Sequence, residues 1–251
     1  MSERLPVHRM RIFAGPNGSG KSTVISEIQT KVRTGPYVNA DEIEKTCRLH
    51  KFVNLSDFSL ISTKEHFESY LQRSTLLAKA KKEGYIIDLS FSDNVIVTGR
   101  NTNSYEAALI AAYLRDLMIT KRETFSFETV MSHPSKLETL KKSASAGFKN
   151  YLYFVSTADP SINIERVADR VLKGGHNVPS DKIKERYFRS LELLIEMIPY
   201  CHRCFVFDNS GTRFQLIVEV VDGEQIIVHT GDPIPGWIEA YLLKPMTGDN
   251  N

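Results

Sequence analysis

The stretch Gly15-Pro16-Asn17-Gly18-Ser19-Gly20-Lys21-Ser22-Thr23 satisfies the phosphate-binding pattern G-x-x-x-x-G-K-[ST] at every required position. Glycines at this spacing let backbone N–H groups close around phosphate oxygens, Lys21 reaches the terminal phosphates, and the Ser22 hydroxyl can ligate Mg²⁺. The implied ligand is a nucleoside triphosphate, ATP first and GTP second, seated with Mg²⁺ on a helix N-terminus.

Such a pattern has meaning only between a buried strand and a helix. Residues 10–14 are a short apolar run. Beyond the loop, Val24, Ile25, Ile28 and Val32 recur at helical spacing until Thr34-Gly35-Pro36 stops the helix.

Further along, residues 37–39 predict a short strand leading into a helix that begins near Asp41. The periodicity predicts one helix over 64–82, ended by Gly84, then strands over 85–89 and 95–97 around a Ser92-Asp93-Asn94 turn. Asn103 and Glu106 form a capping box for a helix over 104–121. A strand over 124–127 carries Glu128 and Thr129 at its end, and helices over 135–146 and 181–198 flank a strand at 151–155 and a helix holding Ile164, Val167 and Val171. The last buried strand, 204–207, ends at Asp208-Asn209. Asp222-Gly223 marks a hairpin between 214–221 and 225–228.

Alternating strands and helices imply an α/β fold with a doubly wound, mostly parallel sheet, an inserted helix-hairpin segment at about 50–103 and a C-terminal extension at about 212–251, all within one domain. Ligands of such sheets bind at the carboxyl ends of the strands. The phosphate loop, Asp41, Glu128, Thr129, Asp208 and Asn209 all fall there.

Phosphoryl transfer needs a base for the acceptor hydroxyl and cations for the migrating group. Asp41 is the candidate base, with helix capping as the alternative role. Arg166 and Arg170, one turn apart beside the lid-like segment from Lys173 to Pro179, are the candidate cations, with solvated pairing to Glu165 and Asp169 as the alternative. Within that segment His176 could contact phosphate or fasten the lid. Arg186 and Arg189 are weaker candidates that read first as surface residues, with Arg186 kept beside Arg166 and Arg170 as a possible source of charge for the transferring phosphate.

Other patterns exclude function classes. A net charge of +2 is too mild to argue for nucleic-acid or membrane binding by electrostatics alone, so the partner class must come from the site. The first ten residues have no apolar core of signal-peptide length, which with the absence of a long apolar run points to the cytoplasm. Cys201-His202-Arg203-Cys204 has no second ligand pair for structural zinc. Tyr85-Ile86-Ile87-Asp88 imitates a magnesium-organising strand end in poor strand context. Asp208-Asn209-Ser210-Gly211 has the D-x-x-G form of GTPases, without a guanine-reading N-K-x-D segment.

Six ordered segments resemble the zeta-toxin-like P-loop kinases, a group that includes proteins labelled predicted ABC-type ATPases. They are Ala14 through Thr23, Asn39 through Ile43, Phe125 through Thr129, Arg166 through Pro179, Arg186-Tyr187, and Asp208 through Ser210. The resemblance implies a nucleoside-monophosphate-kinase-like fold in which Asp41 is the base, the lid arginines hold the transferring phosphate, Glu128 and Thr129 help hold the acceptor, and Asp208-Asn209 lies near the adenine. It further implies phosphorylation of a hydroxyl of UDP-N-acetylglucosamine or a related nucleotide sugar, and regulation by a small antitoxin protein. The chain departs from the toxins at Gly174-Gly175-His176, where they place a second arginine, and in the insertion. The alternatives are an ATPase, for which the L-S-G-G-Q signature is missing, and an antitoxin-regulated nucleotide-binding module without kinase activity. A polynucleotide kinase would want a basic-aromatic stripe that the sequence lacks.

Overall fold

Apolar runs alternating with capped helices give, in chain order, β1 (Arg9–Ala14), α1 (Lys21–Lys31), β2 (Tyr37–Val38), α2 (Ala40–His50), β3 (Phe52–Asn54), α3 (Lys64–Gln72), α4 (Thr75–Lys82), β4 (Leu89–Ser92), β5 (Val95–Thr98), α5 (Ser104–Lys121), β6 (Phe125–Thr129), α6 (Ser135–Ser145), β7 (Lys149–Ser156), α7 (Pro160–Leu172), α8 (Ser180–Met197), β8 (Arg203–Asp208), β9 (Gln215–Val221) and β10 (Gln225–Val228). The structure, a computed structural model, describes residues 7–175 and 177–248. His176 therefore lies outside the described residues. Contacts divide the chain into two compact units, one of the described residues up to Thr34 and from Glu128 onward, the other Gly35–Phe127.

In the first unit the strands lie in the order β10-β9-β8-β7-β1. β1, β7 and β8 are parallel, with Ala14 opposite Phe154 and Val155 opposite Phe207. Met10, Ile12, Phe13 and Ala14 are all buried, as are Leu152 to Val155, so these strands are covered on both faces as parallel strands must be. β9 and β10 add an antiparallel hairpin whose turn puts Asp222 and Gly223 at φ 50° and 79°. That left-handed pair matches the right-handed twist of the strands. The expected α/β architecture and its terminal hairpin are both present.

In the second unit β2 and β6 pair in parallel. α5 is apolar nearly all round, with Leu109, Ile110, Tyr113, Leu114 and Met118 buried, and the capping box of Asn103 and Glu106 closes its start. The insertion forms a small antiparallel sheet, β3-β5-β4, whose two-residue turn holds Asp93 and Asn94 in the left-handed region. Its inner face, Val53, Phe91 and Ile96, is buried, and Phe91 meets Phe67 of α3.

Three expectations need correction. The helix over 64–82 is two helices, because the Ser74 hydroxyl accepts the Leu77 N–H at 3.2 Å and starts a new one. Residues 85–88 form no strand: the Asp88 N–H donates to Glu106 at 2.7 Å, and pairing begins only at Leu89. The tail holds a helical segment besides its hairpin, Gly236–Ile238, a π turn over Glu239–Leu243, and Lys244–Thr247, with Trp237 and Leu242 buried. Among the described residues no helix is long and apolar enough to cross a membrane.

The cysteines are packing residues. Cys47, Cys201 and Cys204 are buried free thiols. Burial pushes Cys201 up to about 12 and raises Cys204 as well. Neutral thiols of this kind are poor metal ligands and poor nucleophiles.

Asn150 ties the first unit together below the site. Its Nδ2 donates to the carbonyls of Leu140 (3.2 Å) and Tyr200 (2.9 Å), and its Oδ1 accepts from Ser143 Oγ at 2.8 Å. Asn150→Ala strips partners from these buried groups and is expected to lower stability by about 2–3 kcal/mol. Urea unfolding with an unchanged slope and a lower midpoint is the expected outcome.

Candidate active site

The phosphate loop joins β1 to α1, and its glycines are there because neighbouring backbone at Gly15 and Gly18, and the Asn209 side chain at Gly20, leave no room for a Cβ. Gly15, Gly18 and Gly20 have φ of 143°, 77° and 88°. A Cβ at Gly15 would strike the carbonyl oxygen of Val155 on β7, one at Gly18 the main-chain oxygen of Asn163 on α7, and one at Gly20 the Asn209 amide after β8. Three elements of the first unit thus close on the loop. Side-chain bonds reinforce them, Asn163 Nδ2 donating to Asn17 O at 2.6 Å and Asn209 Nδ2 to Ser19 O at 2.8 Å.

Lys21 is buried within this turn. Its Nζ donates to Gly15 O at 2.9 Å and Pro16 O at 3.0 Å and lies 3.7 Å from Glu128 Oε1. The ammonium is thus held over the loop by two neutral carbonyls and one carboxylate, contacts that incoming phosphate oxygens can replace. Ser22 and Thr23 occupy the exposed first turn of α1, which has no side-chain cap. Ser19 is fully buried, and its Oγ has no partner among the described residues.

The other sequence candidates fall as follows. Glu128, the penultimate residue of β6, lies next to Lys21, whereas the Thr129 hydroxyl accepts the Met131 N–H at 3.1 Å and shapes the following turn. Asn209 touches the loop. Asp208 accepts from Ser210 Oγ at 2.9 Å and Trp237 Nε1 at 2.7 Å, which fastens the C-terminal helical segment. Arg166 donates to the carbonyls of Asn209 (2.8 Å) and Gly211 (3.3 Å). Arg170 is exposed near the end of α7, with its stem against Gly175. The segment after α7 is anchored by Val178, which packs with Val167 and Ile183.

Asp41 belongs to the second unit. It is exposed in the first turn of α2, and its N–H donates to Asn39 Oδ1 at 2.8 Å. Asn39 is the cap of that helix, so the capping role considered for Asp41 is filled by its neighbour.

Beside the loop, a cavity of about 650 Å³ is lined by Gly20, Thr23, Glu27, Arg166, Asn209 and residues 211–214. Its size falls within the range of small-ligand sites. Sequence reasoning missed Arg213 and Phe214 as lining residues and Asn163 as a loop contact, since no pattern marks them. A second cavity, about 390 Å³, lies in the other unit against Ile43, Thr46, His50 and Phe52. On α2 those first three positions point roughly 140–200° away from Asp41 at about 100° per residue, so this cavity does not serve the Asp41 carboxylate.

Among the described residues no group of three or more His, Cys, Asp or Glu converges to hold a metal. A lone Ser22 hydroxyl beside a phosphate cradle fits Mg²⁺, which binds largely through substrate phosphates and water.

No protein-family model and no curated protein matches the sequence. Solved structures match in fold. A chain of the AvrRxo1-ORF1:AvrRxo1-ORF2 complex with sulphate ions is 12% identical, with a TM-score of 0.55 over 94% of this chain and 63% of that one. The same pair with ATP gives 12% identity and a TM-score of 0.54 over 96% and 64%. A chain from the PezAT chromosomal toxin-antitoxin system of Streptococcus pneumoniae is 12% identical with a TM-score of 0.46, over 100% and 83%. This chain thus spans 63% and 64% of the length of the first two.

Gly18→Ala tests the closure of the loop. The added methyl and the positive φ should weaken ATP binding at least ~10-fold, as strain of about 1–3 kcal/mol is relieved only by opening the loop. Gly231→Ala, where a Cβ meets nothing, should bind like wild type. Calorimetric titration distinguishes them.

Proposed function

We propose that the chain is a zeta-toxin-like P-loop kinase that moves the γ-phosphate of ATP, with Mg²⁺, to a hydroxyl of a small molecule, UDP-N-acetylglucosamine or a related nucleotide sugar being the favoured acceptor. The observation that carries this is Lys21, buried in the glycine loop and facing Glu128, next to a cavity of nucleotide size. The triphosphate lies along residues 15–23, and the base and ribose enter the cavity beside Asn209.

Transfer then runs as an in-line displacement. Lys21 leaves the carbonyls of Gly15 and Pro16 for the β- and γ-phosphates. The acceptor oxygen attacks the γ-phosphorus, the bond to the bridging oxygen breaks, and ADP departs. The hydroxyl proton passes to the Asp41 carboxylate, which acts as general base. Ser22 would hold Mg²⁺, which when bound neutralises charge on the β- and γ-oxygens. Arg166 and Arg170 remain candidates for holding the transferring phosphate, with Arg166 on the cavity wall. Glu128 and Thr129 contribute to the acceptor side.

A small protein partner that covers the nucleotide cavity belongs to this proposal. Its support is the family resemblance together with the fold shared with AvrRxo1-ORF1:AvrRxo1-ORF2, a pair of proteins.

Incubation with ATP, Mg²⁺ and a panel of nucleotide sugars, nucleosides and short RNAs, read by mass spectrometry, tests the activity. A phosphate mass added to one nucleotide sugar, reduced at least ~100-fold in Asp41→Asn, is the expected result. ATP turnover equal in wild type and Asp41→Asn, with no acceptor modified, would contradict it.

A further inference from the structure

Three arginines on α7 and α8, Arg166, Arg170 and Arg186, have different surroundings. Arg166 is occupied by two main-chain carbonyls on the cavity wall. Arg170 stands exposed beside Gly175. Arg186, on α8, reaches the loop itself, its Nη1 donating to Asn17 Oδ1 at 3.3 Å. That bond is long, and its acceptor is a neutral amide, a weak partner for a guanidinium. The carboxylate next to it, Glu185, is engaged with Arg189 at 2.9 Å and Lys182 at 3.4 Å.

The surroundings of Arg186 hold its backbone in place. Tyr187 OH donates to Thr157 O at 2.6 Å, just beyond β7, and the single Ser190 hydroxyl proton is shared between Val130 O and Arg186 O, each 2.6 Å from Oγ. α8 is thus pinned to the segments that follow β6 and β7. Asn17 is pinned from the other side by Asn163. A half-buried guanidinium therefore stands over the loop tip on a fixed helix, while its side chain is free to exchange one weak acceptor for a better one.

We propose that Arg186 leaves the Asn17 amide to hold a non-bridging oxygen of the γ-phosphoryl group, in the ground state and as charge develops during transfer. This rests on the kinase function proposed above. A guanidinium suits the task because it is permanently charged and offers paired donors to phosphate. It would supply, from α8, charge that the Gly174-Gly175 segment lacks.

The test compares binding of a non-hydrolysable ATP analogue and of ADP, each with Mg²⁺, by calorimetry. A charge-assisted contact confined to the γ-phosphate predicts that Arg186→Ala weakens the ATP analogue roughly 10–100-fold and ADP less than about threefold. Arg186→Lys should fall between, and Arg189→Ala should match wild type. Arg186→Ala that lowers both affinities equally, or neither, overturns the assignment while leaving the kinase function standing. Wild-type protein that binds neither nucleotide overturns both.

Discussion

The absence of room for a Cβ in the phosphate loop is the constraint on which the rest depends. Val155 at the end of β7, Asn163 on α7 and Asn209 after β8 each press on one glycine. Parallel pairing of β1, β7 and β8 brings those segments to the same carboxyl-end rim. The loop is held by the sheet and not merely attached to it, so its N–H groups are oriented before any ligand arrives. Preorganised donors of this kind need no rearrangement when charge appears.

Electrostatics follow from the same closure. Lys21 is buried in the loop, and burying an ammonium is costly unless it is paired. Two carbonyls and Glu128 provide that pairing, and a triphosphate offers a stronger replacement. Phosphate oxygens that take over Lys21 would release Glu128 from it. Arg166 on α7 and Arg186 on α8 meet different parts of the cradle, the first at Asn209 and Gly211 and the second at Asn17.

Much of this was legible in the sequence because local rules decided it. The phosphate loop, the Asn103–Glu106 capping box and the Asp222-Gly223 turn each write their geometry in a few adjacent residues. The failures were places where distant contacts decide. Ser74 interrupts an otherwise continuous helical pattern through a cap visible only once formed. Residues 85–88 have strand composition, yet Asp88 is taken by Glu106, eighteen positions away. The helical segment around Trp237 is fixed by Asp208, and nothing nearby in the chain announces that bond. Arg186 was one of three arginines the sequence offered for the transferring phosphate, and nothing local singles it out because its contact with Asn17 spans 169 positions.

The central claim is that the bound triphosphate is a phosphoryl donor. Following ATP labelled in its γ-phosphate by chromatography tests it most directly. Adding a mixed pool of nucleotide sugars should divert the label from inorganic phosphate into an organic phosphate ester, at a rate that rises with the pool. Label that emerges only as inorganic phosphate, at a rate indifferent to every hydroxyl-bearing molecule supplied, would contradict the account.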